Sequence, residues 1–254
     1  MDRLIYTAMT GASQTLEEQA TISNNLSNTS TTGFRAQLSA YRAVPLKSQD
    51  QLASDDNDVT RTFVVGSTPV ADFTAGIITK TGNPTDAAIQ GPGWFTVQAA
   101  DGSEAYTRDG TFHLDENGQL VTSQNQVVEG TQGPISVPPG GTMQIGSDGT
   151  ISVLGAGDPP NQIAVVDRLK LVKPADNVMV RGDDGLFRTN DGSTPDADPT
   201  VQVVGAAVEG SNVNPVAAMV SMISNARQFE MQMKMLQTAD SNEQSANALL
   251  NFSN

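Results

Sequence analysis

Asn214-Pro215-Val216-Ala217-Ala218-Met219-Val220-Ser221-Met222-Ile223-Ser224-Asn225-Ala226-Arg227-Gln228-Phe229-Glu230-Met231-Gln232-Met233-Lys234-Met235-Leu236 is the stretch that decides the fold class. Asn214 is suited to cap a helix and Pro215 to open it, because an Asn side chain satisfies early amides and a first-turn proline leaves none unpaired. Met219, Met222 or Ile223, Ala226, Phe229, Met233 and Leu236 then recur at threes and fours, the spacing of one helix face. Asp240 to Gln244 breaks the stripe, and Ala246, Leu249 and Leu250 restore it. At 1.5 Å per residue the predicted helix is about 54 Å long. Five of the nine methionines lie between residues 219 and 235.

The opposite end of the chain reads the same way. Ile5, Met9, Ala12 and Leu16 fall at 4-3-4 spacing, Gln19 and Ser23 interrupt the register, and Leu26 resumes it. A helix from about residue 3 to about residue 28 follows. The run Ser27-Asn28-Thr29-Ser30-Thr31-Thr32 then weakens it, since these side chains compete for backbone hydrogen bonds, and Gly33 offers a stop.

Between these ends the chain changes character. Of 13 prolines, 12 lie between residues 39 and 208, with 20 of the 23 glycines. That stretch also carries ten basic and 21 acidic residues, leaving the ends almost neutral. Short apolar runs alternate with Asp101-Gly102, Asp109-Gly110, Asn117-Gly118, Asp148-Gly149, Asp184-Gly185 and Asp191-Gly192, which predicts hairpins and a mostly antiparallel β region. The fold class is therefore α+β, with N- and C-terminal helices around a β middle. The divisions are 1–38 (helix), 39–75 (an extended connector with the acidic patch Asp55-Asp56-Asn57-Asp58), 76–208 (β) and 209–254 (helix). Each terminal stripe is narrow and near-heptad, and a lone helix of that kind is marginal in water. Packing both helices on their own sheet is one solution. Pairing first and last segments as a coiled coil, then stacking against neighbouring chains, is the other. On the second reading the assembly interface comprises Ile5, Met9, Leu16, Leu26, Met219, Ile223, Phe229, Met233, Leu236 and Leu250, and the arms order on assembly.

Composition excludes several functions. A net charge of −14 argues against nucleic acid and anionic membranes, which are read by Lys and Arg. No cysteine and one histidine, His113, exclude disulfides, thiolate metal sites and multi-histidine metal sites. No apolar run is long enough to span a bilayer, and Met1-Asp2-Arg3-Leu4-Ile5-Tyr6-Thr7 does not read as a cleaved secretory signal. Asp183 with Asp184, or Asp109 with Asp115 and Glu116, could be taken for a glycosidase carboxylate pair. Turn chemistry explains acids at loop tips more simply. No cofactor or metal is expected.

Three motifs carry a resemblance. They are Asn24-Asn25-Leu26-Ser27-Asn28 through Thr32-Gly33-Phe34-Arg35; Thr81-Gly82-Asn83-Pro84-Thr85-Asp86-Ala87-Ala88-Ile89 with Gly91-Pro92-Gly93-Trp94-Phe95 and Tyr106-Thr107-Arg108-Asp109-Gly110-Thr111-Phe112; and Val208-Glu209-Gly210-Ser211-Asn212-Val213-Asn214. In this order they resemble the bacterial flagellar rod, hook and hook-junction family over essentially the whole chain. Thr32 stands where that family usually has proline, and Asn125 where it often has glycine. Several stretches, Phe229-Glu230-Met231-Gln232-Met233-Lys234 among them, look most like the proximal-rod members of F type, with the distal-rod members as the alternative. The resemblance implies a structural, non-enzymatic rod component that transmits torque from rotor to hook. It also implies assembly with other rod proteins and with copies of itself. Export would run through the flagellar type III apparatus without signal cleavage, and the working location would be the periplasmic basal body. An extracellular β-domain adhesin or a wall-acting enzyme is the competing class.

Overall fold

The structure is a computed structural model that describes residues 2–45, 62–138, 140–155, 159 and 163–251. The acidic patch Asp55–Asp58 lies outside the described residues. The chain forms two compact units that interleave in sequence: residues 1–27, 37–70 and 214–254 make the first, residues 28–36 and 71–213 the second.

The first unit holds both terminal helices, α1 (Asp2–Ser27) and α2 (Pro215–Asn251), with strands β1 (Gln37–Pro45) and β2 (Thr62–Ala71) paired beside them. Asn214 caps α2 as its position suggests, its Oδ1 accepting from the Val216 and Ala217 amides at 3.0 and 3.1 Å. The helices lie against each other through small and polar groups. Asn225 Nδ2 donates to the Thr15 carbonyl at 2.9 Å, and Thr15 Oγ1 reaches Gln232 Oε1 at 3.2 Å. A Cβ on Gly11 would stand 3.0 Å from Gln232 Nε2. Ala8, Thr15, Asn225 and Ala239 are buried. The less exposed positions of α2 among the described side chains, namely Ala218, Met222, Asn225, Phe229, Gln232, Leu236, Ala239 and Glu243, keep the alternating 3-4 spacing of a single face.

Asn25 fixes where the chain goes after α1. Its Oδ1 accepts from the Gln37 amide and its Nδ2 donates to the Gln37 carbonyl, both at 2.8 Å. The side chain thus behaves like a neighbouring strand. Replacing Asn25 with alanine is expected to leave both Gln37 groups unpaired and cost about 1–2 kcal/mol locally. Hydrogen exchange at the Gln37 amide reads this, and an unchanged rate counts against it.

The second unit is all β. Its strands are β3 (Ile78–Lys80), β4 (Ala87–Gln90), β5 (Trp94–Gln98), β6 (Glu104–Thr107), β7 (Phe112–Leu114), β8 (Leu120–Thr122), β9 (Val127–Gly130), β10 (Gly133–Pro134), β11 (Thr142–Ile145), β12 (Thr150–Leu154), β13 (Ala164–Arg168), β14 (Leu171–Val172), β15 (Met179–Arg181), β16 (Phe187–Thr189), β17 (Gln202–Gly205) and β18 (Ala207–Glu209). The main sheet runs β15-β16-β6-β5-β9-β8-β7, with β10 on β9 and β14 on β5, and β11-β12-β13 forms a second sheet. Two-stranded pairs join β17 to β4 and β18 to β3, and the pairings in this unit are antiparallel. Ile89, Phe95, Val97, Phe112, Leu120, Ile135, Ile151, Leu169 and Leu171 are core members. Trp94, Tyr106, Phe187 and Phe73 form a separate aromatic group, with Trp94 and Phe187 centroids 4.5 Å apart.

Most of the Asp-Gly and Asn-Gly turns are true turns. Gly102, Gly118, Gly149, Gly185 and Gly192 all take positive φ, which a residue without Cβ does at little cost. Asn125 also has positive φ, at 61°. Asp109-Gly110 departs from the pattern. Gly110 lacks a positive φ, and β6 and β7, on either side of it, are not neighbours in the sheet. Its role is close approach, since a Cβ there would fall 1.6 Å from the Ala87 carbonyl oxygen. Gly33 departs in the opposite sense. It has φ +68°, but α1 has already ended at Ser27, and its bare backbone instead admits the main chain of Arg108 and Asp109.

Candidate functional site

In the second unit, the three sequence motifs meet at one buried carboxylate. Glu209, closing β18, holds Arg35 Nη2 on Oε1 at 2.7 Å and Arg108 Nη1 on Oε2 at 3.0 Å, with the three side chains 1%, 0% and 4% exposed. The guanidinium groups finish on carbonyls. Arg35 Nη1 donates to Thr74 at 2.6 Å, and Arg108 Nη2 to Gly91 at 2.6 Å. The Gly76 amide also donates to Glu209 Oε1, at 2.8 Å. Burial is the main influence on Arg108, pulling its pKa down to about 10; Glu209 opposes the shift and the neighbouring Arg35 adds to it. Arg108 therefore stays charged at neutral pH, and Glu209 is the only carboxylate forming an ion pair with either arginine among the described residues.

Around this centre Thr32, Gly33, Phe34 and Arg35 of the N-terminal motif are each tied down. Thr32 Oγ1 donates to Asp109 Oδ1 at 2.6 Å, a bond that a side chain without a hydroxyl could not make. The Gly33 amide donates to the Glu209 carbonyl at 2.8 Å. The Arg181 guanidinium lies 4.4 Å from the centroid of Phe34 and donates to the Arg35 carbonyl at 3.2 Å, a cation–π contact joined to a hydrogen bond. Asp86 closes the second motif's turn, accepting from Thr81 Oγ1 at 2.6 Å and Asn83 Nδ2 at 3.0 Å.

In the first unit, the predicted interface residues divide by exposure. Met9 (55%), Leu16 (52%), Met219 (52%), Ile223 (56%) and Met233 (39%) are exposed. Leu26, Phe229 and Leu236 are half-buried. Ile5 and Leu250 lie within α1 and α2, but their side chains are outside the described residues. Val216, Val220, Met231 and Met235 are exposed as well. Helix α2 therefore shows apolar side chains on more than the face turned to α1, and apolar spacing alone does not separate these faces. It also misses the polar seam of Thr15, Asn225 and Gln232. The signal for that seam is a polar residue recurring at the helix period.

Of the five acids that suggested hydrolysis, Asp109, Asp115 and Asp184 serve local structure. Asp109 accepts from Thr32, from Ser123 Oγ at 2.5 Å and from the Thr111 amide. Asp115 caps its own turn through the Asn117 and Gln119 amides, bonds that keep its pKa below the usual carboxylate range. Asp184 pairs with Arg188 at 2.7 Å, which holds its carboxyl low in the same way. His113 is exposed on β7. Among the described residues, no group of three or more His, Asp or Glu is placed to hold a metal ion, and no helix is long and apolar enough to cross a membrane.

Three family profiles match the chain: "Flagella basal body rod protein" over residues 5–35, "Flagellar hook protein FlgE/F/G D1 domain" over 88–153, and "Flagellar basal body rod FlgEFG protein C-terminal" over 204–249. Arg35, Arg108 and Glu209 come one from each of these segments. Among curated proteins, the chain is 52% identical to the flagellar basal-body rod protein FlgF of Salmonella typhimurium and 51% identical to that of Escherichia coli, each over the full length of both chains. It is 32% identical to the FlgF of Caulobacter vibrioides over 93% of each chain.

Proposed function

The chain belongs to the flagellar basal-body rod family, as its F type, and on that premise we propose that it occupies the proximal rod and passes torque from rotor to hook. It is a structural component of the rod. In this reading α1 and α2 pair as a coiled coil, and such pairs pack against those of adjacent copies and of other rod proteins. The chain reaches its place through the flagellar type III apparatus without signal cleavage, and it works in the periplasm.

The observation that carries the reading is the apolar surface left on the helix pair. Met9, Leu16, Met219, Ile223 and Met233 stay exposed while Thr15, Asn225 and Gln232 sit in the seam between the helices. A helix that is apolar on several sides is normally buried on several sides. Torque would be carried as shear across those packed contacts, because close-packed interiors barely compress. Methionine adapts its shape to differing neighbours, which suits junctions between related but unequal subunits.

The test is Met219→Asp with Ile223→Asp. Both residues are exposed in the free chain, so the purified double variant is expected to keep its helix content and unfolding midpoint. A deletion strain complemented with it is expected to build no rod and not to swim. Normal swimming ends the proposal.

A further inference from the structure

Within the first unit, the less exposed positions of α2 fall into two sets at heptad spacing. Ala218, Asn225, Gln232 and Ala239 make one, and Met222, Phe229, Leu236 and Glu243 the other. The second set is apolar through its middle. The first is polar through its middle and alanine at both ends. On α1, Ala8 and Thr15 are buried at the same spacing and Ile22 is half-buried. Contacts across the seam run in opposite directions along the two helices. A Cβ on Gly11 would stand 3.0 Å from Gln232 Nε2, whereas Asn225 Nδ2 donates to the Thr15 carbonyl at 2.9 Å. Four residues onward in α1 therefore match seven residues back in α2, and the helices pair antiparallel.

This seam is not built for the greatest stability. Asn225 is 4% exposed, yet its Oδ1 has no hydrogen-bond partner among the described residues, and neither has the buried Gln14 Oε1. A buried polar atom left unpaired is more costly than an apolar side chain of similar size in its place. Polar residues at such positions are useful where they separate one pairing from another. Slide α2 by one heptad either way, and Met222, Phe229 and Leu236 largely trade places, a change that flexible apolar side chains absorb. The polar set does not survive the slide. In one direction Ala218 arrives beside the Thr15 carbonyl in place of Asn225. In the other, Ala239 takes the place of Gln232, whose Oε1 stands 3.2 Å from Thr15 Oγ1. Either slide also drives a polar side chain into a place fitted to alanine.

We propose that Asn225 and Gln232 set the register in which α1 and α2 pair, as positioning residues for the apolar side chains that the pair presents outward. The inference rests on the helix pairing of the rod reading above. A slide of one heptad carries the exposed Met219, Ile223 and Met233 about 10 Å along Met9 and Leu16, at 1.5 Å per residue. Register thus decides which apolar pattern a neighbouring copy meets.

The experiment reads register directly in the full-length chain. The sequence has no cysteine, so spin labels on Ser23→Cys and Gln237→Cys, both exposed positions, report one distance by pulsed electron resonance. Asn225→Leu with Gln232→Leu is expected to keep the helix content and unfolding midpoint but to add a second distance, about 10 Å longer or shorter. The triple change Asn225→Ala, Gln232→Asn and Ala239→Gln moves the polar pattern one heptad towards the C-terminus, and its distance is expected to shorten by about 10 Å. Met222→Ala, a half-buried apolar change in the same seam, is expected to lower the midpoint while keeping the single original distance. An unshifted distance in the triple variant overturns the proposal, since chain connectivity would then set the register. So does an equal second distance in Met222→Ala, which would reduce the effect to a loosened seam. If the leucine pair loses its helix content, the triple variant decides alone. In a deletion strain the triple variant is expected not to restore swimming. Normal swimming with a shifted distance supports the register role and counts against the helix interface of the rod reading. An unaltered chain without a single distance counts against the helix pairing itself, and the proposal falls with it.

Discussion

Glu209→Ala is expected to destabilise the β unit by about 3–5 kcal/mol, the range seen when one partner of a buried ion pair is removed. The residue sits at the high end of that class because it serves two arginines at once. Its side chain is 1% exposed, with Arg35 and Arg108 at 2.7 and 3.0 Å. Alanine would leave two guanidinium groups side by side, both charged and both out of water. Burial already pulls the Arg108 pKa down to about 10, and its arginine neighbour adds to that shift. The Gly76 amide would also lose its acceptor, and a buried donor left unpaired costs roughly 1–3 kcal/mol by itself. Glu209→Gln should recover only part of the loss, because its amide nitrogen turns a donor towards one of two groups that can only donate. Denaturant unfolding of the purified chain measures both variants. A loss below about 1 kcal/mol for alanine, the scale of an exposed pair, would show that the charges are compensated elsewhere. The exposed Asp184–Arg188 pair provides the contrast, since breaking it should change little.

How much of the molecule is legible in its sequence depends on the range of each signal. The helices are legible because their cues are local: Asn214 and Pro215 at one end, apolar spacing along both. The Asp-Gly and Asn-Gly hairpins are legible for the same reason. Asp109-Gly110 shows where local reasoning fails, since the same dipeptide serves a crossover whose partner, Ala87, lies far back in the chain. Gly33 fails likewise. It resembles a helix stop, but its missing Cβ answers the main chain of Arg108 and Asp109. The Glu209 centre combines both cases. Its three charged members are visible as parts of separate motifs, yet nothing in the spacing from 35 to 108 to 209 says that they touch. The division by helix breakers could not reveal that residues 28–36 and 209–213 fold into the β unit, because long-range bonds to Asp109, Thr74 and Gly76 decide it. On the helices, apolar periodicity finds the stripe but not which side faces the partner. Thr15, Asn225 and Gln232 take that seam through specific hydrogen bonds, and a purely apolar criterion passes over them.

Gly110→Ala is expected to be the most damaging single-methyl change in the β unit, at about 4 kcal/mol or more, a size reserved for clashes the backbone cannot absorb. The added Cβ would lie 1.6 Å from the Ala87 carbonyl oxygen and 2.8 Å from the attached carbon. Neither is the end of a flexible side chain, so the main chain itself must move. Movement there breaks the bond from the Ala87 amide to the Gly110 carbonyl at 2.9 Å. It also disturbs Phe95, whose ring edge would stand 3.2 Å from the new methyl and which packs edge-on against Phe112 at 5.1 Å in the main core. Gly192→Ala is the matched comparison. Gly192 has φ +70°, but an added methyl there would meet nothing within 4 Å, so only the left-handed backbone penalty of about 1–2 kcal/mol applies. If close approach governs Gly110, the two variants separate by several kcal/mol in denaturant unfolding, and only Gly110→Ala fails to restore swimming. Equal losses would mean that backbone freedom, and not the proximity of Ala87, fixes glycine at position 110.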